Sequence, residues 1–224
     1  MALNINGTTG ISGVDGSVSA PAVTGTDSNT GITFPAADTI KFSTGGVERM
    51  SITNSGVSGI TAGITMMDQW RLSNNVAISA NTTTGIYSNW ERNDNNFAQI
   101  GSGMTESSGV FTFPSTGIYR VDCRWNVFNA STSNRYVSIR TELSTDGGSN
   151  YSVVAVAFTN LPNLGETTDH ATSDFVVDVT NASNFKVRTV ASSSQAFTFA
   201  GNQWAGINNN GQTNSMTFMK LGET

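Results

Sequence analysis

The only histidine of this 224-residue chain, His170, directly follows Asp169 and lies close after Glu166. An imidazole among carboxylates is a donor set for a transition metal, or a general base with an orienting partner. A nucleophile–histidine pair would have to recruit the same His170, and the Gly-x-Ser-x-Gly turn that presents a nucleophilic serine is absent. Residues 160–172 are full of turn formers, which favours a polar surface loop over a catalytic trio. Asp174 and Asp178 share one solvent face of an expected strand, about 13 Å apart at the usual rise. That is too far for two carboxylates to act on one glycosidic bond. The runs Asp146-Gly147-Gly148-Ser149-Asn150 and Asn93-Asp94-Asn95-Asn96 carry oxygens suited to calcium, but neither has the length or closing glutamate of an EF-hand loop. A turn accounts for the first and a solvated loop for the second. Neither a cofactor nor a metal is expected.

Trp204 stands among amides and glycines, followed by Asn208, Asn209 and Asn210. An exposed indole supplies an apolar face for a sugar ring and amides bond its hydroxyls, so these four residues are the candidate host-contact positions. Against this, tryptophan is buried on average, and packing under the loop or at a subunit interface is the favoured reading for Trp204. Cys123 alternates in phase with Val121 and Trp125, which makes it a small buried hydrophobe rather than a reactive thiol. Asn-x-Ser/Thr acceptors at Asn6, Asn81, Asn129 and Asn181 follow from composition alone.

The elements that must position these groups are legible in composition. Asn, Ser, Thr and Gly are abundant, charged residues are only 12%, and helix formers are sparse. Turn-rich, all-β structure is what remains. The net charge of −5 and pI near 4.7 argue against a nucleic-acid surface. The longest strongly apolar run, 153–158, is too short to span a bilayer, and the first residues show no signal peptide. With one cysteine there is no intrachain disulfide, so packing or association must hold the fold.

Two regions are expected. All four tryptophans and all four tyrosines follow residue 66, whereas residues 1–65 contain only Phe34 and Phe42 as aromatics. So few bulky side chains repay little of the entropy of ordering. Residues 1–65 therefore read as an arm that is either flexible or ordered against other chains, with short strands near 39–42 and 50–52. From residue 66 the period is two. Tyr119, Val121, Cys123, Trp125 and Val127 alternate with polar residues over 118–128, and 137–143 and 151–159 follow around the turn formers Asp146-Gly147-Gly148. Further strands are expected at 175–179, 185–189, 197–200 and 216–221, with a turn at 181–184. Many short antiparallel strands indicate a sandwich or jelly roll over 66–224.

Residues 109–125 carry Gly109, Phe111, Pro114, Gly117 and Tyr119 in the spacing Gly-x-Phe-x-x-Pro-x-x-Gly-x-Tyr. This resembles the central strand pair of the complement-head/tumour-necrosis-factor jelly roll, and 215–221 is similar to that family's last strand. The resemblance implies a threefold homotrimer at the end of a stalk. Residues 31–56, with Phe34-Pro35-Ala36-Ala37-Asp38-Thr39 and Gly45-Gly46-Val47-Glu48-Arg49-Met50, resemble a recurring phrase of bacteriophage tail-fibre proteins. That resemblance implies a virion location, with the arm attached to another virion protein.

Together these features give the expectation of a non-enzymatic virion protein, a homotrimeric tail fibre or spike whose 66–224 head meets the host surface, a surface glycan among its candidate partners. The alternative is a trimeric capsid decoration protein, since a long repetitive shaft is absent. A polysaccharide depolymerase is the less favoured third reading.

Overall fold

The computed structural model describes residues 4–6, 10–12, 15–59, 63–94, 97–129, 133–162, 167–201 and 213–224. Among them every regular element is a β-strand, and no helix is long and apolar enough to cross a membrane. The chain divides into two compact units, Met1–Gly63 and Ile64–Thr224.

In the first unit, β1 (Asn4–Asn6) pairs with β2 (Gly10–Ser12), and β3 (Gly16–Ser17) with β4 (Ala20–Pro21). Then β5 (Val23–Thr24), β6 (Gly31–Thr33), β7 (Ile40–Thr44), β8 (Val47–Thr53) and β9 (Gly56–Ser58) form an antiparallel meander. Gly45 and Gly46, with φ of 59° and 75°, close the β7–β8 hairpin, a conformation costly for residues with a Cβ. All these strands find their partners within the same chain.

Directly opposed residues share a sheet face. One face of the meander therefore carries the row Val23–Ile32–Phe42–Met50 and the row Ile40–Ile52–Val57. The other face carries Thr33, Lys41, Ser43, Glu48, Ser51 and Ser58; Lys41 pairs with Glu48 at 2.7 Å, the Ser51 and Ser58 hydroxyls meet at 2.7 Å, and Ser43 donates to the Gly31 carbonyl at 3.4 Å. Burial is inverted here. The buried residues among those described in this unit are Thr33, Ser43 and Ser51, while Val23, Val47, Ile52 and Val57 are exposed.

The second unit contains β10 (Met67–Leu72), β11 (Val76–Ile78), β12 (Thr83–Gly85), β13 (Trp90–Glu91), β14 (Thr105–Ser107), β15 (Val110–Thr112), β16 (Gly117–Asn129), β17 (Asn134–Ser144), β18 (Ser152–Leu161), β19 (Thr167–Val179), β20 (Lys186–Ser193), β21 (Phe197–Phe199) and β22 (Ser215–Gly222). One sheet sets β19, β16, β22, β10 and β13 side by side, with β21 and β11 continuing from the far end of β16. The other runs β14-β15-β20-β17-β18, with β12 also on β20. The inner faces enclose an aromatic core: the Trp90 and Phe111 rings lie 5.2 Å apart, Phe111 and Phe218 5.2 Å, and Trp125 and Phe199 5.6 Å. Such edge and tilted contacts add to the burial of large rings.

β16 keeps the period of two: Tyr119, Val121, Cys123, Trp125 and Val127 are buried, whereas Arg120 and Arg124 face out. The motif around it has a physical basis at each end. Gly109 has φ +76°, and a Cβ there would lie 2.1 Å from the Ile86 carbonyl oxygen. At the other end the Tyr119 hydroxyl donates to the Ser115 carbonyl at 3.1 Å, closing the turn before the strand.

One expectation is corrected. Asp169 and His170 lie not in a loop but inside β19, which pairs with β16 residue for residue from Gly117↔Val179 to Asn129↔Thr167. Thr167, Thr168 and Thr172 are β-branched strand formers, and a continuous ladder against a buried neighbour overrides the weaker preference of Asp169 and Ala171.

Candidate functional site

The outward face of the β19-β16-β22-β10 sheet gathers residues that are distant in the chain. Gln69 opposes Thr217, Thr217 opposes Asp122 and Asp122 opposes Asp174, one row across four strands. The next row is Arg71–Ser215–Arg124–Thr172, and the row on the other side is Met67–Met219–Arg120–Val176. Gln69, Thr217, Asp122, Arg120, Arg124 and Asp174 are among the residues lining a cleft of about 410 Å³.

Two aspartates directly opposed on a sheet repel. Arg120 relieves this: its guanidinium lies 2.9 Å from Asp122 and 3.6 Å from Asp174. The hydrogen bond to Asp122, with the charges of Asp122 and Asp174, holds the guanidinium above its ordinary pKa. Gln69 donates its amide to the Thr217 hydroxyl at 2.9 Å. The cleft thus offers amide, hydroxyl and paired-charge groups to a hydroxylated ligand.

A second surface is apolar. Strand β18 ends its sheet and hydrogen-bonds only to β17 among the described strands. Its inward side chains are Ala155, Ala157 and Thr159; a register shift opposite Thr141/Glu142 leaves Val153, Val156 and Phe158 facing out, with Val154 at the irregularity. Phe158 is 69% exposed and all three valines are exposed. At the adjoining edge of the other sheet, Thr159 donates its hydroxyl to Asp169, and Val176 is exposed on β19. An extended edge strand with an apolar outer face is a template for association, which monomeric proteins usually blunt with charge or proline.

The residues singled out in the sequence fall as follows. His170 is 73% exposed on β19 with Nδ1 3.8 Å from Asp169, whose carboxylate is engaged by Thr159; Glu166 lies outside the described residues. Among the described residues no three His, Cys, Asp or Glu side chains converge on a metal position. Asp146 is committed to its own turn, accepting from the Asn150 backbone and amide and from the Ser144 hydroxyl; these bonds, that from the Asn150 N–H foremost, lower its pKa to about 2. Asp94 pairs with the buried Arg71 at 3.0 Å rather than standing free, and Asn95 and Asn96 lie outside the described residues. Burial pushes the Cys123 thiol up to about 12. Trp204, Asn208, Asn209 and Asn210 lie outside the described residues. Asp174 and Asp178 are exposed on one face of β19 as expected, but the close carboxylate pair is Asp122 with Asp174. Strand pairing creates that pair, so no spacing along the chain reveals it. The apolar edge did leave a signal: 153–158 is a continuous apolar run, a pattern of strands covered on both faces.

No protein-family model matches the sequence, and no curated protein matches it. Among solved structures, Eiger TNF from S. frugiperda is similar with a TM-score of 0.51 and 9% identity, over 72% of this chain and 96% of that chain. Murine APRIL, crystallised at pH 5.0, has a TM-score of 0.47 and 12% identity, over 70% of this chain and 98% of that one. At such identity the likeness to Eiger concerns the fold: the second unit is a TNF-like jelly roll.

Proposed function

We propose that the chain is a structural virion protein: a homotrimeric tail fibre or spike that attaches through its N-terminal arm and meets the host surface with its jelly-roll head. The observation that carries the self-association is the apolar outer face of β18, with Val153, Val156 and Phe158 exposed on a strand that among the described strands pairs only with β17. Exposed apolar surface of this kind marks an interface. Closed threefold symmetry satisfies a head-to-neighbour contact without an endless filament. The virion setting is supported by the phrases of residues 31–56 and by the arm-then-head order. Three heads engaging at once multiply weak contacts. A surface poor in charge and rich in hydroxyls and amides bonds glycans with little salt dependence, and Trp204 with Asn208, Asn209 and Asn210 remains the candidate contact.

Antibody-gold labelling of intact virions with serum against residues 66–224 tests this reading. Label confined to the tail supports the fibre. Label over the whole shell makes the protein a capsid decoration whose arm clamps neighbouring subunits, and no label on particles removes the virion role. Sedimentation of the full-length chain at micromolar concentration tests the trimer, which a monomer would exclude.

A further inference from the structure

The meander of the first unit is a single sheet with an apolar face on which Val23, Ile52 and Val57 are exposed. Ile32, Phe42 and Met50 form its central row, and Ile40, Ile52 and Val57 the second. Phe34, Ile40 and Ile52 also line a hollow of about 470 Å³ at one end of this side. Of the charged groups nearby, Lys41 and Glu48 are on the opposite face and pair with each other, Arg49 donates to the Thr44 hydroxyl at 2.8 Å, and Asp38, at the hollow, accepts from the Asn54 amide at 3.2 Å.

We infer that this face is a self-assembly surface, whose occupant is the same face of other copies of this chain. Size and charge argue for that occupant. Five strands averaging four residues give a face on the order of 300 Å², well under half of the roughly 800 Å² per partner that stable interfaces between free proteins bury. It is too small to capture a partner from solution. It is large enough to close once a partner is tethered alongside at millimolar effective concentration, which self-association of the heads provides. The face also lacks charged groups in its rows to steer or select a foreign partner. Like apolar faces brought together form a dry core in a unit whose buried residues, among those described, are Thr33, Ser43 and Ser51. The β-strands already pair within the chain, so copies join here by packing faces rather than by exchanging strands.

This inference rests on the self-association proposed above, and its test separates the two. Full-length Ile52→Cys and Val57→Cys variants, with Glu48→Cys as the opposite-face control, are treated with a short bifunctional maleimide while sedimentation follows the same samples. The native Cys123 is buried and stays silent. The expected result is an oligomer in every variant, with Ile52→Cys and Val57→Cys cross-linking between chains about tenfold faster than Glu48→Cys. An oligomer in which Glu48→Cys cross-links equally fast, or Ile52→Cys and Val57→Cys fail to cross-link, overturns the inference and leaves head association standing. A monomer removes both. In a Phe158→Asp background the cross-links are expected to vanish; their persistence would overturn the dependence on tethering by the heads.

Discussion

Asp68 and Arg92 form a two-pronged ion pair, Nε to Oδ1 at 2.9 Å and Nη2 to Oδ2 at 2.8 Å, with the guanidinium 4.3 Å from the centre of the Trp70 ring. The carboxylate is buried and also accepts from the Trp70 indole at 2.9 Å and the Met104 backbone N–H at 2.7 Å. One aspartate thereby ties strand β10, which carries Gln69 of the polar row, to Arg92 and to Met104.

Removing that hub should be costly. Asp68→Ala removes the shared acceptor of four hydrogen bonds, those from the Trp70 indole and the Met104 N–H being buried, and is expected to destabilise the chain by about 3 kcal/mol. Arg92→Ala should cost less, because Arg92 is partly exposed and the remaining donors still satisfy Asp68. Denaturant unfolding of both single variants and the double variant measures the coupling; equal costs for the two single variants would refute the hub.

Gly109 is required by backbone geometry. Gly109→Ala must place a Cβ 2.1 Å from the Ile86 carbonyl while holding φ at +76°, with an expected loss of about 2–3 kcal/mol from strain and displaced backbone. Gly147→Ala, also at positive φ but with open space around its Cβ, should lose less. Thermal melts of the two variants make the comparison.

The Asp146 turn predicts a pH dependence. Its carboxyl titrates near pH 2 in the folded chain, below the ordinary 3.8. Its contribution to stability is therefore present above about pH 4 and is lost as the pH falls through about 2. Wild type should exceed Asp146→Asn in melting temperature at pH 6, and the gap should close by pH 2. A gap independent of pH would refute this assignment.

Cys123 should be inert. With the thiol raised from 9.0 to about 12, folded protein is expected to resist maleimide at pH 8 and to react at once when unfolded. The same shift predicts that stability falls as the pH rises above 9, where the unfolded thiol ionises and the folded one does not. Labelling followed by mass measurement checks the reactivity.

Phe158→Asp places a charge in the middle of the open edge. Because Phe158 is 69% exposed in the isolated chain, unfolding of the single chain should change little. Association should weaken by about 2 kcal/mol or more, some 30-fold in dissociation constant. Sedimentation across a concentration series reads the difference; unchanged association would move the interface elsewhere on the head.

The all-β class, the strands 118–128 and 137–143 and the inward set of Tyr119, Val121, Cys123, Trp125 and Val127 could be read from the sequence alone. A period of two is a local consequence of alternating side chains and does not depend on the partner strand. The turn at 147–148 was legible for a similar reason, because tolerance of positive φ is a property of glycine itself. What tertiary structure decided was register and cover. Asp122 meets Asp174 only because β19 runs antiparallel to β16 in one particular alignment, and a shift by one residue would turn Asp174 to the other face. His170 entered a strand because the ladder beside it continued. The apolar run 153–158 has the pattern of a strand covered on both faces, and the fold places it at an edge where, among the described residues, one side only is covered. Which residues a protein leaves uncovered depends on the order in which its strands assemble, a long-range outcome that local pattern does not encode.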